Sequence, residues 1–376
     1  MIFHQTIFDS MSKNSVQNYL LQAILIEKAI QSSTDSLLLT FINRQKNPAL
    51  VLNQGIIMKN YLLIMMSCLF FIALPVTAKD KDLNIVFIPK SSDQVFWDIM
   101  RSGVDEAIKE VKTQNNIALT WRGPSYNDHT DAQIRILQTY SRPNVDAIII
   151  VPTDRERLVA PIQKAADQGI KVIVVDSAVN GTAHQTSITT DNYASGQLAA
   201  KHLANVLNKQ GRVVVFRTVA GSASTDDRAK GFIDYLKKNA PDMKIIADVY
   251  GGGSRGKALH SATELLKKTP EIDGIFAVNE SATDGVLRGL RNASRAGKTK
   301  LVGFDASDFL LDGLKTGDVD GLVIQNPRQM GYLSIKAAVA AVNNKATTTK
   351  TTFTEAKLIT KENYLAPEIR KLMSAH

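Results

Sequence analysis

From Leu83 onward, short unbroken apolar runs alternate with longer stretches whose apolar residues recur at three- and four-residue spacing. The clearest run is Lys171–Ser177, Lys-Val-Ile-Val-Val-Asp-Ser, in which four apolar residues follow one another and then stop at Asp176 and Ser177. A β-branched run without alternation suits a strand buried on both faces, as in a parallel sheet. The same sentence recurs along the chain. Leu83–Ile88 ends at Pro89 and Lys90, Ala147–Val151 at Pro152, Thr153 and Asp154, and Val213–Phe216 at Arg217. Gly274–Val278 ends at Asn279 and Glu280, Leu301–Phe304 at Asp305, and Leu322–Ile324 at Gln325 and Asn326. In open α/β sheets, ligands collect beyond the carboxyl ends of the strands. Polar groups at the same end of several strands point to a polar ligand.

The intervening stretches predict helices over Phe96–Val111, Thr130–Tyr140 (capped by Asp128), Arg155–Gln168, Ala194–Lys209, Thr225–Asn239, Arg255–Lys268, Ala282–Ala296 and Arg328–Asn343. Strands are also expected at Ile117–Trp121, Lys244–Val249 and Thr351–Ile359. Repeated βαβ units imply right-handed crossovers and mainly parallel sheets. Two runs of such units, before and after roughly Thr190, predict an α/β protein of two similar doubly wound parallel-sheet domains. A multi-strand hinge would join them, with a ligand cleft between. The expected lobes are residues 79–190 plus 326–352 and residues 191–325 plus 353–376.

Composition alters little. The chain has 376 residues, 44% hydrophobic and 22% charged, enough for two α/β domains. Its net charge of +9 is spread along the chain, as on solvated helix faces, and no nucleic-acid reading motif accompanies it. Cys68 is the only cysteine, so no disulfide can form within the chain. The six histidines are scattered without metal-ligand spacing, and neither a metal nor a cofactor is expected.

Met58-Lys59-Asn60, the apolar run Tyr61–Val76 and Val76-Thr77-Ala78 read as a secretory signal peptide cut after Ala78. The run is shorter than a membrane span of about 20 residues. Two other readings are an uncleaved anchor and a lipid-modified Cys68. Met1–Ile57 has apolar patches but no clear fold, and is expected to be an upstream extension rather than part of the native protein. The localisation this implies is the periplasm.

Three stretches could carry chemistry. Gly251–Gly256 fits G-x-G-x-x-G between a strand and a helix, but belongs to the second strand–helix unit of its domain, so a flexible turn before a Ser-capped helix competes with a dinucleotide site. Lys90–Trp97 places two aromatics, Phe96 and Trp97, at a polar loop–helix junction, where rings complement the flat C–H faces of sugars. Arg228 opens a helix and offers a fixed fork of donors, unless it pairs with Asp226 or Asp227. With it, Asp176, Asn279, Asp305 and Gln325 supply two anionic acceptors and two amides, a mixture suited to a neutral polyol. Asp176 and Asp305 could also serve as a glycosidase pair, but no nucleophile elbow or metal pair is visible, and sugar binding explains them more simply. The chain is therefore read as a binding protein rather than an enzyme.

These residues resemble the periplasmic sugar-binding proteins of the ribose-binding group, the solute-binding components of ABC importers. The resemblance runs from about Lys81 to Tyr364. It rests on Phe96-Trp97 with Gly103, Asp146–Ile149 leading to Pro152-Thr153-Asp154, and Val175-Asp176. It also rests on Thr190–Tyr193 with Gly196, Arg228 with Gly231-Phe232, Ala277–Asn279, Gly303–Asp305 and Gln325. It implies stacking roles for Phe96 and Trp97 and hydrogen-bonding roles for Asp176, Arg228, Asn279, Asp305 and Gln325, with Gln94 where ribose binders use an amide. Ser177 stands where an Arg often follows the central Asp, and the aromatic expected near Gly253 is absent. Lys90 replaces a small polar residue and is similar to the Lys of arabinose, rhamnose and furanosyl-autoinducer binders. A pentose other than ribose, a deoxyhexose or a cyclic polyol is as compatible as ribose. The implied partners are that ligand and a membrane permease, with the chain a monomer and no nucleic acid bound. Alternatives are a secreted sensor that signals to a membrane kinase or chemoreceptor, a lac-repressor-like effector domain, and an NAD(P)-binding enzyme.

Overall fold

The computed structural model describes residues 82–112, 116–345 and 350–373, with four isolated positions before them. The chain divides after Ala78, and everything below concerns the unit Lys79–His376. The expected signal peptide Met58–Ala78 with Cys68, and the extension Met1–Ile57 apart from those four positions, lie outside the described residues.

The first sheet takes β1 (Leu83–Ile88), β2 (Ile117–Trp121), β3 (Ala147–Ile150), β4 (Lys171–Val175) and β5 (Thr186–Thr190). Helices α1 (Val95–Val111), α2 (Thr130–Tyr140) and α3 (Val159–Asp167) connect them. The second takes β6 (Gly211–Arg217), β7 (Met243–Tyr250), β8 (Gly274–Ala277), β9 (Lys300–Phe304) and β10 (Gly321–Ile324). Between these run α5 (Ala223–Asn239), α6 (Arg255–Lys268), α7 (Glu280–Asn292) and α8 (Asp308–Thr316), and α4 (Asn192–Val206) leads in. Last come α9 (Pro327–Val342), β11 (Thr351–Thr354), β12 (Lys357–Ile359) and α10 (Pro367–Met373).

The two sheets have the same plan. Their orders are β2-β1-β3-β4-β5-β11 and β7-β6-β8-β9-β10-β12, parallel throughout except that β12 runs antiparallel to β10. Successive residues of one strand feed opposite layers: Ile149 packs with α1 and α9, while Ile148 and Ile150 pack with α2 and α3. That is why the central strands read as unbroken apolar runs. After a buried Met243, the edge strand β7 alternates exposed and half-buried residues instead.

The chain crosses between the lobes three times: from β5 to α4, from β10 to α9, and from β11 to β12. The expected single strand Thr351–Ile359 is thus two. It breaks at Glu355-Ala356, each half joins a different sheet, and the expected border at 352/353 falls inside β11. Two further expectations are corrected, and elements without an expected counterpart appear. β5 (Thr-Ser-Ile-Thr-Thr) has no counterpart among the expected strands, because its single aliphatic gives no apolar run; backbone pairing to β4 and β11 holds it. Asp128 does not cap α2, whose N-cap is His129; the Asp128 carboxylate takes the Lys257 ammonium at 2.5 Å. Helix α3 starts at Val159, because Asp154 Oδ1 accepts from the backbone of Glu156 and Arg157 and turns the chain there. Helix α8 has no counterpart among the expected helices; Ser307 caps it and Gly317 ends it at φ +84°.

Candidate functional site

The carboxyl ends of both sheets face one cavity. All nine residues expected at a ligand site line it: Lys90, Gln94, Phe96, Trp97 and Asp176 from the first lobe, Arg228, Asn279 and Asp305 from the second, and Gln325 at a crossing. Sequence reasoning missed Asn127, Thr218, Ser222, Ser224 and Thr225, which also line it. The Ser222–Thr225 stretch occupies the place after β6 that Ser91–Gln94 occupies after β1, so the repeat itself was the available signal.

Asp176 and Asp305 are repeat-related. Each follows the equivalent strand of its sheet, β4 or β9, and each turns into the left-handed region, at φ 61° and 65°. Each backbone N–H donates to the neighbouring strand, Asp176 to the Ile188 carbonyl at 2.8 Å and Asp305 to that of Val323 at 2.9 Å. Asp and Asn tolerate this conformation better than most side chains. The turn aims a carboxylate into the cavity from each lobe.

Each acid faces a buried cation. Lys90 Nζ lies 3.7 Å from Asp176 Oδ2 and donates across the cleft to Ser222 Oγ (3.0 Å) and Ser224 Oγ (2.9 Å). Burial pulls this ammonium down to about 8, against the opposing pull of Asp176. Arg228 does not pair with Asp226 or Asp227 through a hydrogen bond; those acids take Arg217 and Arg155. Its Nε donates to Asn192 Oδ1 (2.9 Å) and Nη1 to the Val278 carbonyl (3.0 Å), with the guanidinium 4.1 Å from the centroid of the Phe304 ring. Burial lowers its pKa, and the charges of Asp305 and Asp176 oppose that. The fork is aimed by a close crossing of α4 and α5. A Cβ on Gly196 would lie 2.0 Å from the Arg228 carbonyl oxygen, and one on Gly231 the same distance from that of Tyr193.

Asp305 Oδ1 accepts from Gln325 Nε2 (2.7 Å), Oδ2 accepts from the Glu280 backbone (3.2 Å), and burial raises its pKa. Gln325 in turn accepts from Thr190 Oγ1 at 2.8 Å, so this chain spans the first crossing. Asn279 caps α7, its Oδ1 accepting from Ala282 at 3.1 Å. Phe96 and Trp97 meet edge to face at 4.9 Å, and Trp97 Nε1 donates to Ser91 Oγ at 2.8 Å. Both rings wall the cavity.

Beside the cavity, Glu280 is fully buried, and burial pushes its carboxyl up to about 7 despite Arg255. An acid whose pKa is raised on folding binds its proton more tightly in the folded state. Its favourable contribution is complete below the ordinary value of 4.5 and is lost as pH climbs to about 7. The unfolding free energy of the native chain should therefore fall between pH 5 and 7, relative to Glu280→Gln, by up to about 3 kcal/mol. Urea titrations across that range check it; parallel profiles would remove Glu280 as the cause.

The glycine run Gly251–Gly253 follows β7 at the outer edge of the second sheet. A dinucleotide fingerprint follows the first strand, at the point where the strand order reverses. The run has the sequence of such a site without its position.

The model for the periplasmic binding protein domain matches residues 85–346. The chain belongs to the periplasmic binding protein domain family. A D-allose-binding periplasmic protein of Escherichia coli is 28% identical over 260 residues, 67% of this chain and 82% of that one. A xylitol-binding protein of Mycolicibacterium smegmatis is 28% identical over 268 residues, 71% and 73% of the two chains. Among solved structures, a carbohydrate transporter solute-binding protein of Agrobacterium radiobacter in complex with D-arabinose is 31% identical with a TM-score of 0.74. It covers 78% of this chain and 99% of its own. An ABC transporter solute-binding protein of Agrobacterium vitis with bound D-fucose is 29% identical with a TM-score of 0.73, covering 77% and 100%. The two-lobed α/β fold is thus that of periplasmic binding proteins. The family is one of solute binders.

Proposed function

We propose that this periplasmic binding protein takes a small neutral sugar or polyol into the cavity between its lobes and hands it to the permease of an ABC importer. One observation carries the reading: each lobe brings one cation and one anion to the same buried space, Lys90 with Asp176 and Arg228 with Asp305. The charges balance, so a charged ligand would leave one of them without a partner in a low-dielectric site. Hydroxyls that donate to a carboxylate while accepting from an ammonium or guanidinium suit such a set. Phe96 and Trp97 serve the C–H face, and Gln94, Asn279 and Gln325 the remaining hydroxyls. The ligand bridges both lobes, so it binds the closed arrangement better and shifts the population toward it. Relatives named for allose, xylitol, arabinose and fucose support the ligand class. On this reading Met58–Ala78 is a signal peptide and the mature chain works in the periplasm.

A melting-temperature screen of Lys79–His376 tests it, with D-ribose, D-arabinose, D-allose, D-fucose, xylitol, sugar acids and NAD(P). A ligand that binds only the folded chain raises the melting temperature by mass action. The expected result is a rise with one neutral class and none with its acid. A rise with NAD(P) or a sugar acid alone would overturn the reading.

A further inference from the structure

The glycine run has a place in the closed cleft. Gly251 and Gly252 donate to the carbonyls of Arg217 and Thr218, which fixes the turn to the end of β6. From there the chain reaches the other lobe in two directions. The Gly253 carbonyl accepts from the Asn127 backbone at 3.2 Å, and Lys257 pairs with Asp128. Arg255 binds the Asp93 carbonyl and Glu280, and the Glu280 carboxylate accepts from the backbone of Val95 (3.4 Å) and Phe96 (3.2 Å). Helix α1 has no side-chain cap of its own at Gln94, so its first turn is capped from the opposite lobe. Both contact points carry cavity residues: Asn127 on one, and Gln94, Phe96 and Trp97 on the other. Asn127 Oδ1 is buried with no hydrogen-bond partner among the described residues.

We propose that the turn Gly251–Gly253, with Arg255 and Lys257, forms a clasp across the cleft, with Gly253 setting how far the lobes close and hence the size of sugar the closed cavity accepts. A Cβ on Gly253 would lie 2.4 Å from the backbone nitrogen of Asp128 and 2.7 Å from its Cγ, closer than real contacts allow. Gly253 has no positive φ, so alanine brings no backbone strain, and the three atoms its Cβ would approach most closely all belong to Asp128, across the cleft. Gly256, three residues on, is exposed and would meet nothing within 4 Å, which makes it a control in the same run.

The clasp rests on the solute-binding reading for its ligand, so the experiment has one arm with sugar and one without. Wild type, Gly253→Ala, Gly256→Ala and Arg255→Met are compared by calorimetry and X-ray scattering with the neutral sugars above, and by amide exchange without sugar. Gly253→Ala should bind about tenfold to a hundredfold more weakly. It should also stay extended at sugar concentrations that compact the wild type, while Gly256→Ala behaves as wild type. Without sugar, the Asn127 amide should be protected in wild type and Gly256→Ala and exchange faster in Gly253→Ala. Arg255→Met, which leaves the turn intact, should speed exchange at Phe96 and weaken binding about fivefold. This variant decides the matter if Gly253→Ala fails to fold. Equal exchange at Asn127 in wild type and Gly253→Ala, or at Phe96 in wild type and Arg255→Met, overturns the clasp. Failure of every sugar to bind wild type overturns the solute reading instead, and leaves the exchange arm to judge the clasp.

Discussion

Arg228→Met abolishes sugar binding and lowers the unfolding free energy by about 3–5 kcal/mol, the range for removing one member of a buried charge set. The guanidinium is 2% exposed, fixed by Asn192 and the Val278 carbonyl, and the charges of Asp305 and Asp176 bear on it. Methionine fills much of the volume over Phe304 but leaves two buried carboxylates facing Lys90 alone. It also strips a donor from the Val278 carbonyl, and an unpaired buried acceptor has its own cost. Arg228→Lys separates the two losses. It keeps the charge and so most of the stability, but a single ammonium cannot reproduce the fork that reaches both partners, and sugar affinity still falls. Urea unfolding and calorimetry on both variants give the test. Unchanged stability in Arg228→Met would mean that the acids are not held by this cation.

Asp176→Ala is expected to lose more than about a hundredfold in sugar affinity, through two bidentate-capable oxygens removed from the cavity. Its fold survives, because the Asp176 backbone bond to Ile188 and the hydrogen bonds that hold Asp305 do not depend on the carboxylate, although the buried Lys90 loses its facing acid and Arg228 one of its two cavity acids. Alanine does inherit φ 61°, which costs about 1 kcal/mol. Asp176→Asn tolerates that turn better and keeps the shape, removing the charge and turning one accepting oxygen into a donor. It leaves Lys90 and Arg228 against Asp305 alone, so the cavity gains a net positive charge, and a sugar acid that wild type rejects should begin to bind. Calorimetry of both variants with the neutral sugar and its acid settles this. Retained neutral-sugar affinity in Asp176→Ala would remove Asp176 from the site.

The central strands and the polar residues at their ends were legible because burial on both faces demands unbroken β-branched runs, and each run stops where the chain reaches the polar cavity. That brought all nine expected residues to one cavity. Where the signal was weak, backbone pairing or geometry had replaced side-chain pattern. β5 is held by its neighbours and carries a single aliphatic, and Thr351–Ile359 reads as one strand although its halves belong to different sheets. Asn127 lies in a loop with no periodicity, and only tertiary approach to Gly253 places it. The glycine run was read by its local motif. Its requirement is set by Asp128, 125 residues away along the chain, and no window of sequence holds both.

The three crossings also set an order of assembly. The second lobe has every parallel strand of its sheet by Ile324, and it lacks only β12 and the terminal helix. The first lobe begins earlier and finishes later. Its helix layer waits for α9 to meet α1, and its sheet edge waits for Thr354 to pair with Thr190. Such distant pairings are slow to form, since the entropy of closing a long loop comes before any contact rewards it. A chain made from its N-terminus therefore holds the lobe it started first in an unfinished state, with the β5 edge open until β11 emerges.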